Sequence, residues 1–142
     1  VCIKHQSSSG VILESTTGKT TTILGNYNQD MKHIIGELGN VKSTNFGPRT
    51  NEFNFLNVPD ELYVNPKQFW TEYNKPWLDN VISRKDTILM ATEPKFGQES
   101  LLFRVNRQTR KLELSGFGRE YYYLRKNGYI FNSKTKKMIF KN

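Results

Sequence analysis

Apolar positions recur along the chain with periods that change from segment to segment, and each period predicts an element. Val11-Ile12-Leu13 and Thr20-Thr21-Thr22-Ile23-Leu24 are β-branched runs around the turn-rich Ser15-Thr16-Thr17-Gly18, which predicts a hairpin or two short strands. Met31, Ile34, Ile35 and Leu38 then fall at helical spacing, with Asn26 or Asn28 as cap and Gly39 as stop. From Val41 to Pro59 the periodicity is lost. Gly47, Pro48 and several Asn predict a loop there, pinned by Phe46, Phe53, Phe55 and Leu56.

Pro66 opens a second helical pattern through Phe69, Trp70, Tyr73, Trp77, Leu78, Val81 and Ile82. Pro76 lies inside it and predicts a kink or a division, because proline lacks the N–H and crowds the preceding turn. Residues 87–92 read as a central strand, and 101–105 with 111–114 as a hairpin across Asn106 to Arg110. A short helix is predicted from Tyr122 to Lys126, entered past Gly116 and Gly118 and closed by Asn127-Gly128. Tyr129-Ile130-Phe131 and Lys137-Met138-Ile139-Phe140 complete a last hairpin. Helices followed by a mostly antiparallel sheet make an α+β domain. Gln6-Ser7-Ser8-Ser9-Gly10 has linker composition, so residues 1–10 read as a linker or hinge and 11–142 as a single domain. The start at Val1, without an initiator Met, suggests a piece of a longer polypeptide.

Charge sharpens this picture. Residues 1–100 carry a net charge of −1 and residues 101–142 carry +9, giving the total of +8. Such asymmetry points to a polyanion: nucleic acid, an anionic membrane or an acidic protein. A basic face that only keeps the chain dispersed would look the same. Cys2 is the single cysteine, which excludes an intramolecular disulfide and a thiolate zinc cluster. No apolar run has the roughly 20 residues of a membrane span, so stable membrane insertion is not expected, and no signal peptide is evident. Export would depend on something outside this sequence.

In Arg119-Glu120-Tyr121-Tyr122-Tyr123-Leu124-Arg125-Lys126, cations that can neutralise phosphates alternate with rings that can stack on unpaired bases. Some of these tyrosines should instead pack the helix onto the sheet. Lys32, Tyr122, Arg125, Lys126, Lys134, Lys136 and Lys137 form the expected RNA-binding set. Metal-independent RNA cleavage needs proton transfer and stabilisation of a phosphorane. His33, beside Lys32 and near Asp30, is the candidate acid or base, His5 being placed in the linker. Arg84, Thr92 and Arg119 are the expected phosphate holders.

Other motifs fail on their own terms. Asp86 with Glu93-Pro94-Lys95 imitates the carboxylates and lysine of metal-dependent nucleases, but Pro94 interrupts the strand they would need. Gly18-Lys19-Thr20 lacks the upstream glycine of a phosphate loop, and neither His-Glu-x-x-His nor Cys-x-x-Cys occurs. No cofactor and no metal are therefore expected.

Three stretches together resemble C-terminal toxin domains of contact-dependent growth-inhibition (CDI) effectors, over roughly residues 18–142. They are Phe53 to Pro59; Phe69 to Asp79 running on to Arg84-Lys85-Asp86-Thr87-Ile88-Leu89-Met90-Ala91-Thr92; and Ser115-Gly116-Phe117-Gly118-Arg119-Glu120 with Leu124 and Asn127-Gly128-Tyr129. The resemblance implies a nuclease toxin delivered as part of a large surface effector into the cytoplasm of a neighbouring Gram-negative cell. It further implies tRNA as substrate, a cognate immunity protein, in some members elongation factor Tu as partner, and a fold of the barnase, EndoU, colicin and RelE type. It assigns no catalytic residue, so the site residues rest on their chemistry. The leading expectation is a tRNA-cleaving ribonuclease; the alternatives are a DNase toxin or a non-catalytic binding or translocation module.

Overall fold

The structure is a computed structural model that describes residues 3–15, 18–38, 42–44, 46–48, 53–95 and 101–141. Its strands are β1 (Ile3–Gln6), β2 (Ile12–Ser15), β3 (Thr21–Leu24), β4 (Phe53–Asn54), β5 (Ile88–Met90), β6 (Phe103–Val105), β7 (Leu112–Leu114), β8 (Tyr129–Asn132) and β9 (Lys137–Phe140). The helices are α1 (Lys32–Glu37), α2 (Pro66–Phe69), α3 (Lys75–Arg84) and α4 (Gly116–Lys126). A five-stranded sheet in the order β4-β3-β5-β9-β8 is central, with β1-β2 and β6-β7 as separate hairpins.

The α+β class is as expected, but the sheet is mixed: β3 runs parallel to both β4 and β5, and the antiparallel pairings lie on the β9-β8 side. The reason is visible in burial. Ile88, Leu89 and Met90 are all buried, as continuous apolar runs are when a strand is covered on both faces. Ile88 and Met90 face one core with Trp77, Leu78, Val81, Tyr121 and Leu124. Leu89 and Ile23 face the other, with Leu13, Met31, Ile34 and Ile35. Helices α3 and α4 thus cover one face and α1 with β2 the other. Each fully buried Leu or Ile contributes about 1.5–3 kcal/mol.

Residues 3–10 depart from their reading as a linker. Ile3–Gln6 pairs antiparallel with Ile12–Ser15, and Ser7 to Gly10 is the turn between them, with Gly10 at φ 84°. Linker-like composition here is turn chemistry. The first predicted helix forms, capped by Asn26 accepting from Gln29 N, but its first turn is π-type over Tyr27–Met31. Its proposed stop, Gly39, lies outside the described residues. Asn65 caps the second helix and Pro66 occupies its first turn. Pro76 neither breaks nor divides it: a π turn at Trp70–Asn74, closed by Lys75 N donating to Trp70 O, precedes the proline and joins α2 to α3. Helix α4 starts at Gly116 rather than Tyr122, because Ser115 caps it by accepting from Gly118 N at 3.0 Å.

Candidate functional site

The four expected catalytic residues do not converge. His33 is exposed on α1, the helix on the far face of the sheet, and pairs with Glu37 at 2.9 Å one turn on. Arg84 ends α3 and clasps Asp86 through Nε and Nη2, the shortest contact 2.9 Å. That carboxylate also accepts from Thr22 Oγ1, which accepts from Asn54 Nδ2, so Arg84 fastens the helix to the start of the sheet. Thr92 is buried and donates to Asp30 Oδ2 at 2.5 Å while accepting from Asn26 N at 2.8 Å.

Asp30, fully buried, also accepts from Ser9 N and Ser9 Oγ, which ties the β1-β2 turn to the end of β5. Thr92 is therefore a structural tie and not a phosphate holder. Thr92→Val should leave Asn26 N and Asp30 short of a partner, costing about 1–3 kcal/mol in urea denaturation.

Arg119 is the only one of the four that lines the cleft of about 580 Å³ at the carboxyl end of β3. That volume suits a small ligand such as a nucleotide. One wall is α2, the π turn and α3, contributing Phe69, Trp70, Asn74 and Trp77; the facing wall is the first turns of α4, contributing Phe117, Arg119 and Glu120. Tyr27 lines it from the π turn before α1, Asn57 and Tyr63 from the loops, and Arg104 and Leu114 from the β6-β7 hairpin. Tyr27 and Tyr63 are 55% and 50% exposed, so their ring faces are accessible to a stacking partner.

Helix α4 delivers its residues with little freedom. Ser115 Oγ donates to Leu101 O at 2.6 Å, and Ser115 N donates to Leu102 O at 2.9 Å. Tyr123 Oη donates to Asp79 on α3 and packs edge-on against Trp70. Phe117, Tyr121 and Leu124 form the helix's apolar stripe, and Glu120 sits within that stripe, only 9% exposed.

Burial pushes the Glu120 carboxyl up from 4.5 to about 8, since desolvation penalises its charged form. It is mostly protonated at neutral pH, and among the described residues it has no hydrogen-bond or ion-pair partner. Arg119 likewise has no carboxylate partner among them. The first turn of α4 adds the partial positive charge of a helix N-terminus to this wall. Trp77 Nε1 is the one completely enclosed side-chain nitrogen or oxygen among the described residues that lacks a partner.

A raised carboxyl pKa has a defined consequence for stability. Below about pH 4.5 the group is protonated both folded and unfolded and contributes nothing. As pH rises from 4.5 towards 8 the unfolded chain releases its proton first, so stability falls, by about 1.4 kcal/mol per unit at most, and levels off above 8. Urea midpoints of the wild type between pH 5 and 8.5 should decline relative to those of Glu120→Gln, which lacks the titrating group.

The expected RNA-binding residues divide between the two ends of the sheet. Lys134, Lys136 and Lys137 lie at the β8-β9 turn, at the same end as the cleft, where Met90 N donates to Lys136 O and Lys136 pairs with Glu93 at 3.3 Å. Arg125 and Lys126 occupy the last turn of α4, about 9–10 Å along the helix from Arg119. Lys32 is exposed on α1, and Tyr122 is half-buried between Phe103 and Tyr121. Asp86 and Glu93 stand at opposite ends of β5, so they do not share a site.

Glu120 lies outside the expected site because a helix beginning at Tyr122 leaves it in the preceding loop, whereas the helix begins at Gly116. One signal was present: residues 101–142 contain only Glu113 and Glu120 as acids, and 117, 120, 121 and 124 follow helical spacing. No known protein family, curated protein or solved structure matches the chain.

Proposed function

We propose that this chain is a ribonuclease toxin domain that binds a nucleotide of single-stranded RNA in the cleft and cuts the adjoining bond with Glu120 as general acid. The observation that carries this reading is a buried carboxyl, its pKa raised by desolvation, beside an unpaired arginine in a cleft walled by rings. Aromatic walls accept a nucleobase of any sequence. Arg119 and the start of α4 supply positive charge where a phosphate would lie.

In the reaction the 2′-oxygen closes on phosphorus to give a 2′,3′-cyclic phosphate, its proton leaving to water. Glu120 donates its proton to the departing 5′-oxygen, and Arg119 stabilises the charge on the phosphorane. None of these steps draws on a metal. The basic residues 101–142 then serve substrate binding, tRNA loops being the proposed target, and an acidic immunity protein is the proposed inhibitor.

The test is to incubate the purified chain with total cellular RNA in EDTA, with and without cytosolic extract, and to map the cut ends. Cyclic phosphate or 3′-phosphate ends in single-stranded segments are expected. Cleavage of DNA alone, restored only by divalent metal, would favour the DNase reading.

A further inference from the structure

We propose that the β6-β7 hairpin is a second RNA-binding element, an arm that holds the phosphate backbone of the strand where it leaves the cleft. The inference rests on RNA being the substrate and assigns a role to Arg107, Arg110 and Lys111. Position argues for it first. Arg104 on β6 and Leu114 on β7 are part of the cleft wall, so a strand bound there and continuing past that wall meets the hairpin.

Charge argues for it next. Arg107, Arg110 and Lys111 are exposed at the tip and have no acidic partner among the described residues. The hairpin's one acid, Glu113, is occupied by Arg104 at 2.9 Å and by Asn106 Nδ2 at 3.3 Å. The tip is therefore a cluster of cations without local neutralisation.

The tip is also rigid. Asn106 Oδ1 accepts from Gln108 N and Thr109 N, Arg110 N donates to Asn106 O at 2.7 Å, and Asn106 N donates to Lys111 O at 2.9 Å. Arg110 adopts φ 59°, the left-handed turn conformation. Cations carried on a fixed turn lose less entropy when they engage phosphates than cations on a mobile loop. On the face between them, Val105 and Leu112 pair across the strands and are 62% and 67% exposed, an apolar platform on which an unstacked base can lie.

The experiment measures binding of a 2′-O-methylated single-stranded RNA oligomer, which cannot be cut through its 2′-oxygen, over a range of salt. The wild type is compared with a triple variant, Arg107→Gln, Arg110→Asn and Lys111→Gln; Asn is chosen because it tolerates the positive φ. Matching urea midpoints establish that the variant is folded, and Lys111→Gln alone serves if the triple variant is not. The arm predicts affinity weaker by about tenfold or more, and a slope of log affinity against log salt shallower by about 2 for three lost phosphate contacts; for the single variant the slope change is about 0.7. Equal affinity and equal slope would overturn the arm while leaving RNA as the cleft's ligand. Failure of the wild type to bind RNA, with retained binding of poly-glutamate that the triple variant loses, would overturn both and make the hairpin a dock for an acidic protein.

Discussion

Gly118→Ala is expected to destabilise the chain by about 3 kcal/mol or more, towards the upper end of what overpacking costs. A Cβ at this position would come within 1.9 Å of Leu102 O and 2.8 Å of Leu102 C. These are backbone atoms at the start of the β6-β7 hairpin, held by the Ser115 N bond to the same carbonyl, so they cannot move aside alone. The sign is informative because Gly to Ala inside a helix ordinarily stabilises by up to about 1 kcal/mol. Gly36→Ala in α1 provides the control, since nothing stands within 4 Å of its Cβ, and it should be neutral or stabilising. Urea midpoints of the two variants, measured side by side, separate close packing from helix propensity. The same contact sets where Arg119 and Glu120 sit, so any Gly118→Ala protein that folds should also lose activity.

The sequence made some of this legible and concealed the rest for identifiable reasons. Helix starts and turns were readable because their signals are local: Asn26 caps where expected, Pro66 opens its helix, and Asn106 organises the β6-β7 turn. Core faces were readable from period, as Met31, Ile34, Trp77, Leu78 and Val81 are all buried. Parallel pairing of β3 with β5 was not, since the two strands are far apart in sequence and a short apolar run does not reveal its partner. The π turn before Pro76 was hidden because proline signals a disturbance without saying how the backbone absorbs it.

The site was legible only in part. Arg119 was expected and lies in the cleft, whereas Thr92 and Arg84 are chemically suited to phosphate yet are spent on Asp30 and Asp86. Residue type carries no information about which partner a side chain finds in the fold. Glu120 was overlooked because a carboxylate amid cations reads as a surface charge until the helix phase places it among Phe117, Tyr121 and Leu124.

Glu120→Gln is the second change with a large expected effect, a loss of about 10²–10⁴ in kcat/KM on RNA. The amide keeps the shape of the buried side chain but cannot deliver a proton to the departing oxygen. Stability should not fall, and above neutral pH it should rise, because the variant removes a group whose ionisation is penalised by burial. Lost activity together with retained or increased stability distinguishes a catalytic group from a packing residue. His33→Ala, by contrast, removes an exposed side chain on the opposite face of the sheet and should change kcat/KM by less than about twofold, within the range of ordinary surface changes.

The most direct measurement is the pH dependence of kcat/KM for a single-stranded RNA oligomer in EDTA, wild type against Glu120→Gln. With Glu120 as the acid, the wild-type profile should fall above an apparent pKa near 8, and the variant should lose both that limb and the activity. Cleavage by Glu120→Gln at the wild-type rate, with the same descending limb, would contradict the assignment of this cleft as the catalytic centre.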